Sequence, residues 1–202
     1  MNFLAHLSLS DNQPKIMVGN FIADFVKGRN LASKYEPLVF SGIELHRAID
    51  HFTDTHKIVQ QSKRRLAGKY GHYAGVIVDV FYDHYLSSGW SNYNKEPIEI
   101  FSKKAYKIIQ DHDNILTDEV RGFLPYMIRQ NWLVAYGTFD GMFQALSGIG
   151  RRTKISNMQD SVNDLKDKHD LFHEDFSAFF PQLKEFASNY LASRYPNGYD
   201  YI

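Results

Sequence analysis

The chain has 202 residues, 44% hydrophobic and 23% charged, with 23 Lys and Arg balanced by 23 Asp and Glu. That length suits one globular domain spanning residues 1–202, and a zero formal charge argues against a dedicated nucleic-acid binder, which carries a basic excess. No Cys occurs, which excludes disulfides, thiolate ligands, CxxC redox chemistry and a thiol nucleophile, so any metal falls to His, Asp or Glu.

No basic residue precedes Lys15, so the start lacks the charged region of a secretory signal. The apolar runs, such as Val76-Ile77-Val78, fall far short of the ~18 residues of a membrane helix. A cytoplasmic protein without membrane insertion is the expectation. Along the chain apolar residues recur at three and four rather than at two, which predicts an all-α fold, a single-domain helical bundle. Pro14 opens a helix that buries Ile16, Met17, Phe21, Ile22 and Phe25 and stops at Gly28. The next begins near Pro37 and places Leu38, Leu45, Ile49 and Phe52 on one side. Further helices are predicted over residues 55–68 and 72–88, the latter carrying Val76, Ile77, Val80 and Phe81. Pro97 opens another, with Ile98, Phe101, Ala105, Ile108 and Ile109 inward. Thr117 resembles an N-cap for a segment reaching to about residue 136, which Pro125 should kink or split. A short helix from Thr138 is expected to end at Gly148 and Gly150, with helical spacing resuming over 156–180 and 181–194. The tail, 196–202, is expected to fray.

Nucleophile and phosphate-loop motifs are absent: there is no G-x-S-x-G, no G-x-x-x-x-G-K-[ST] and no G-x-G-x-x-G, and His173-Glu174 lacks the second His of H-E-x-x-H. What remains is a set of His and Asp on predicted helices. His46 and Asp50 lie four apart, as do Asp79 and Asp83, so each pair shares a helix face, and His84 follows Asp83. A His, Asp pair at this spacing is commonly a surface hydrogen bond. Two Asp at this spacing repel, and a cation would relieve them, so Asp79, Asp83 and His84 make the better-motivated metal group. Asp24 lies among Phe21, Ile22 and Phe25, where burial is expected. His6, between Ala5 and Leu7, reads as a hydrogen-bonded core histidine, a ligand or a proton donor.

Two basic groups stand out. Lys63-Arg64-Arg65 is a solvated helix face by default, though it suits an acidic partner. Arg151-Arg152 after Gly148 and Gly150 suits phosphate, whose oxygens guanidinium groups match bidentately. The Phe-rich stretch with Phe172, Phe176, Phe179, Phe180 and Phe186 reads as core.

Longer motifs sharpen this reading. The opening Met1-Asn2-Phe3-Leu4-Ala5-His6-Leu7, the run from Gly19-Asn20-Phe21 to Lys27-Gly28, His46-Arg47-Ala48-Ile49-Asp50, and Asp79-Val80-Phe81-Tyr82-Asp83-His84-Tyr85-Leu86 resemble the acyl carrier protein phosphodiesterase family. Trp132-Leu133-Val134 and Arg151-Arg152 extend the likeness over nearly the whole chain. The resemblance implies a helical fold distantly related to HD-domain phosphohydrolases. It also implies hydrolysis of the phosphodiester between 4′-phosphopantetheine and a serine of acyl carrier protein, with a divalent metal, manganese, as cofactor. The metal shell it implies is Asp24, His46, Asp50, Asp79, Asp83 and His84, with His6 nearby; Asn20 and Arg47 would support the ligands or contact phosphate. His6 or His84 would protonate the leaving serine oxygen, and Arg47, Arg151 and Arg152 would stabilise phosphoryl charge. For the acidic carrier, Lys63, Arg64, Arg65 and Lys69 form the candidate docking patch. HD enzymes carry an adjacent His-Asp dyad, whereas the matching helix here reads Asp83-His84, and the literal dyad His169-Asp170 is read as a decoy. Two other readings stand beside this one: an HD-like hydrolase of a nucleotide or other small phosphoester, and a non-catalytic module that binds acyl carrier protein.

Overall fold

The computed structural model describes residues 1–153 and 157–199, and among them every regular element is helical. The α-helices are α1 (Phe3–Ser8), α2 (Pro14–Ile22), α3 (Pro37–Thr55), α4 (Lys57–Tyr70), α5 (Ala74–Ser88), α6 (Ile98–Asp111), α7 (Asp118–Arg129), α8 (Trp132–Ala135), α9 (Phe139–Thr153), α10 (Ser161–Asp167) and α11 (His169–Arg194). Start signals act as the sequence predicts: Pro14 and Pro37 open α2 and α3, and the Thr117 side chain accepts the Val120 N–H at 3.3 Å to cap α7. No helix among the described residues is long and apolar enough to cross a membrane.

Several elements differ from expectation, and α2 ends at Ile22 rather than at Gly28 while the 156–180 stretch breaks at Lys168. Six residues are too few to show a period, so α1 leaves no signal in the spacing. Pro125 lies inside α7; the break falls instead at Asn131, whose left-handed backbone (φ 44°) Asn tolerates better than most residues. Gly148 and Gly150 lie within α9, where the ~1 kcal/mol cost of a helical Gly is offset by burial of Met142 and Leu146. Pro181 sits inside the 26-residue α11, flanked by fully buried Phe179, Phe180 and Leu183. The expected helix start at residue 156 lies outside the described residues.

One continuous core runs through the molecule, and α11 packs against α3, α4 and α5 at its centre. The Phe-rich stretch is core as read: Phe172 meets Phe81 edge-on at 5.2 Å, and Phe186 stacks on Phe52 at 4.5 Å. Asp175 on α11 accepts the Ser62 hydroxyl at 2.6 Å and pairs with Arg65, tying α4 to α11. At the C-terminal end, Tyr199 donates to Asp11 at 2.8 Å and the Tyr195 hydroxyl meets Ser41; residues 200–202 lie outside the described set.

Two features position the site. Gly19 on α2 and Gly42 on α3 face one another, and a Cβ on Gly19 would stand 2.0 Å from the Val39 carbonyl oxygen, one on Gly42 2.2 Å from that of Ile16. Only glycine permits this backbone approach, which brings Asn20 against His46. The second feature is the start of α1, where the backbone N–H groups of Leu4 (2.8 Å), Ala5 (3.3 Å) and Asn2 (3.4 Å) all point at the fully buried Asp83 carboxylate on α5.

Candidate metal centre

His6 from α1 and His46 and Asp50 from α3 converge, with one ligand atom from each lying within 4.8 Å of the others. The imidazoles stack with centroids 3.9 Å apart and planes 15° from parallel. One residue orients both rings. The Asn20 side-chain oxygen faces His6 Nδ1 at 2.9 Å, and its backbone oxygen faces His46 Nδ1 at 2.8 Å. An oxygen opposite each Nδ1 makes that nitrogen the donor, so both Nε2 atoms turn toward Asp50. Asn20 is held in turn, its amide donating to the His6 carbonyl at 2.7 Å and to Ser10 Oγ at 3.1 Å.

On the cluster side, Asp50 Oδ1 is 3.2 Å from His6 Nε2 and Asp50 Oδ2 is 3.2 Å from His46 Nε2. His46 Nε2 also meets Asp24 Oδ1 at 3.1 Å. Asp24 is not buried as expected: its side chain is 66% exposed. A 3-10 turn, Ala23–Phe25, ends α2, and Phe25 packs on Phe3 and Phe123 at 6.4 and 5.2 Å, leaving Asp24 outward at the cluster mouth. Asp79 borders the cluster through the Met1 nitrogen, which lies 3.0 Å from Asp79 and 3.8 Å from Asp50.

Charge is arranged accordingly. Burial lowers His6 to about 4, helped by the neighbouring His46 cation. Burial also acts to lower His46, but hydrogen bonds to Asp24 and Asp50 prevail and raise it to about 9. Burial acts to raise Asp50, yet the two imidazoles 3.2 Å from its oxygens hold it well below the usual carboxylate range. The His46 hydrogen bond keeps Asp24 ionised. Two imidazoles with carboxylate oxygens form a donor set that suits a hard divalent cation. His6 Nε2 is buried without an aligned hydrogen bond, the kind of donor a cation completes.

Other residues singled out from the sequence lie apart. Asp83 caps α1, and burial, opposed by those backbone N–H groups, raises it to about 7. His84 faces the Tyr136 carbonyl through Nδ1 at 2.8 Å and stacks on Phe139 at 5.3 Å, outside the cluster. Adjacent residues on a helix point about 100° apart, so Asp83 and His84 address different neighbours. His169 and Asp170 are exposed and pair with each other. Arg47, Arg151 and Arg152 are exposed on α3 and α9. Lys63, Arg65 and Lys69 each have a carboxylate partner, namely Asp54, Asp175 and Asp164; among the described residues Arg64 has none. Spacing did not reveal Ser10, the Met1 nitrogen or the Gly19, Gly42 crossing; glycines inside helical patterns were their one available signal.

Fold and site together define an all-helical protein in which two buried imidazoles meet partly exposed carboxylates, a donor set that suits a divalent cation. The family described as acyl carrier protein phosphodiesterase matches residues 1–183. Proteins of that name are 32% identical over 94% of this chain and 96% of the relative in Photorhabdus laumondii, and 33% over 93% and 98% in Escherichia coli. The relative in Yersinia enterocolitica is 30% identical over 91% and 95%. The chain belongs to the acyl carrier protein phosphodiesterase family, a family of phosphodiester hydrolases. No solved structure is a significant match.

Proposed function

We propose that this protein hydrolyses the phosphodiester joining 4′-phosphopantetheine to a serine of acyl carrier protein, releasing the apo carrier, at a divalent-metal centre built on His6, His46 and Asp50. The observation that carries this reading is the convergence of two Nε2 atoms, oriented by one asparagine, on a carboxylate at the surface of a chain from this family. Asp24 completes the donor set at the mouth, and manganese suits its mix of oxygen and imidazole ligands. A divalent cation supplies acidity to a water and polarises the phosphoryl oxygens.

The protein groups divide the remaining work. Asn20 fixes the ligand rings. Asp24, ionised and exposed, accepts the proton of the attacking water at its free oxygen, and the serine oxygen, departing as its bond to phosphorus breaks, takes a proton from solvent at this open mouth. Arg47, exposed on α3, and Arg151 and Arg152, exposed on α9, are the candidates to meet phosphoryl charge. Incubating metal-stripped protein with holo-acyl carrier protein, with and without manganese, tests the reading by intact mass. Manganese-dependent loss of the 4′-phosphopantetheine mass is expected. No loss with folded, metal-loaded protein would contradict it and favour a small phosphoester as substrate.

A further inference from the structure

The patch at Lys63 to Lys69 is largely neutralised by its own carboxylate partners, whereas a second basic segment directly follows Asp24. Residues 26–34 contain Lys27, Arg29 and Lys34 and no acid. All three are exposed, and none has an ion-pair partner among the described residues. The nearby acids are engaged elsewhere: Asp24 with His46, and Glu36 with Lys15.

The loop is held rather than loose. Val26 and Leu31 are buried at 8% and 4% exposure, anchoring it at two points. Asn30 takes a left-handed conformation (φ 65°), its carbonyl accepts the Ser33 hydroxyl at 2.9 Å, and Gly28 has φ 113°. This turn folds Lys34 back over Gly28, its Nζ 3.6 Å from where a Cβ would stand, which sets the Lys34 ammonium against the backbone between Lys27 and Arg29. Three like charges gathered without a counter-ion repel one another, at a cost that contact with an acidic surface relieves.

We infer that this loop is the docking surface for an acidic face of the protein that carries the phosphoester, placing that partner's modified serine at the Asp24 mouth. The inference rests on the proposed reading that the substrate is a protein-borne phosphodiester. Because the three side chains are exposed, reversing them breaks no ion pair among the described residues.

The test compares Lys27→Glu/Arg29→Glu/Lys34→Glu with Lys57→Glu/Lys95→Glu/Lys103→Glu, three exposed, unpaired cations elsewhere that give the same change in net charge. Turnover of holo-acyl carrier protein is followed at low and high salt. The loop variant should raise KM about tenfold or more, leave kcat within about twofold, and lose most of the salt dependence of kcat/KM, while the control keeps the wild-type KM. A single Arg29→Glu change should raise KM about threefold and serves if the triple variant folds poorly. Equal KM values for loop variant and control, with wild type active, would overturn the docking assignment alone. A wild-type protein that leaves the carrier intact with manganese present would overturn the substrate reading, and this inference with it.

Discussion

His6 and His46 sit 3.9 Å apart with their proton affinities pushed in opposite directions, one to about 4 and the other to about 9. In the metal-free protein the sign of each effect is fixed by linkage. His46, raised from 6.5, contributes stability fully present below about 6.5 and lost as pH rises through about 9. His6, lowered from 6.5, contributes stability present above about 6.5 and lost as pH falls through about 4. Metal-free protein should therefore melt highest near neutrality, and His46→Gln should flatten the alkaline side of the Tm profile. An unchanged alkaline limb in that variant would refute the assignment. Asn20 offers a second check at this scale: Asn20→Ala releases the His6 ring and keeps the backbone carbonyl that faces His46, and manganese affinity should fall about tenfold or more with helical content retained. Titration by calorimetry reads this directly. The residue types of the site were legible in the sequence, since His46 and Asp50 share a helix face by spacing alone. Their pairing with His6 was not, because it depends on how closely α2 and α3 approach.

At the level of elements, that approach is set by glycine. Gly42→Ala would place a methyl group 2.2 Å from the Ile16 carbonyl, and overpacking of this kind costs about 1–3 kcal/mol or more. Asp83 plays a comparable part for α1. Asp83→Ala leaves three backbone N–H groups, those of Leu4 and Ala5 buried, without their acceptor, so unfolding free energy should drop by about 2 kcal/mol in chemical denaturation. A cap accounts for the Asp79, Asp83 spacing without a cation. The repulsion it implies is met by backbone N–H groups on Asp83 and by the Met1 nitrogen on Asp79. Helix starts marked by Pro14, Pro37 and Thr117 were readable because their signals are local. Ends were less so: Gly148, Gly150, Pro125 and Pro181 all lie within helices that tertiary packing sustains.

Across the whole molecule, the cluster draws on α1, α2 and α3, while α5 caps α1 and α11 braces α3 from behind. Ion pairs neutralise three of the four cations between Lys63 and Lys69 and leave the loop after Asp24 uncompensated, so a net charge of zero conceals a local basic surface beside the cluster. The account stands or falls on where a metal binds. Manganese titration of metal-stripped protein, with free ion followed by electron paramagnetic resonance, should show Asp50→Asn and His46→Gln losing about tenfold or more in affinity while His84→Gln stays within about twofold of wild type. Loss of affinity in His84→Gln with Asp50→Asn unaffected would contradict it and return the centre to α5.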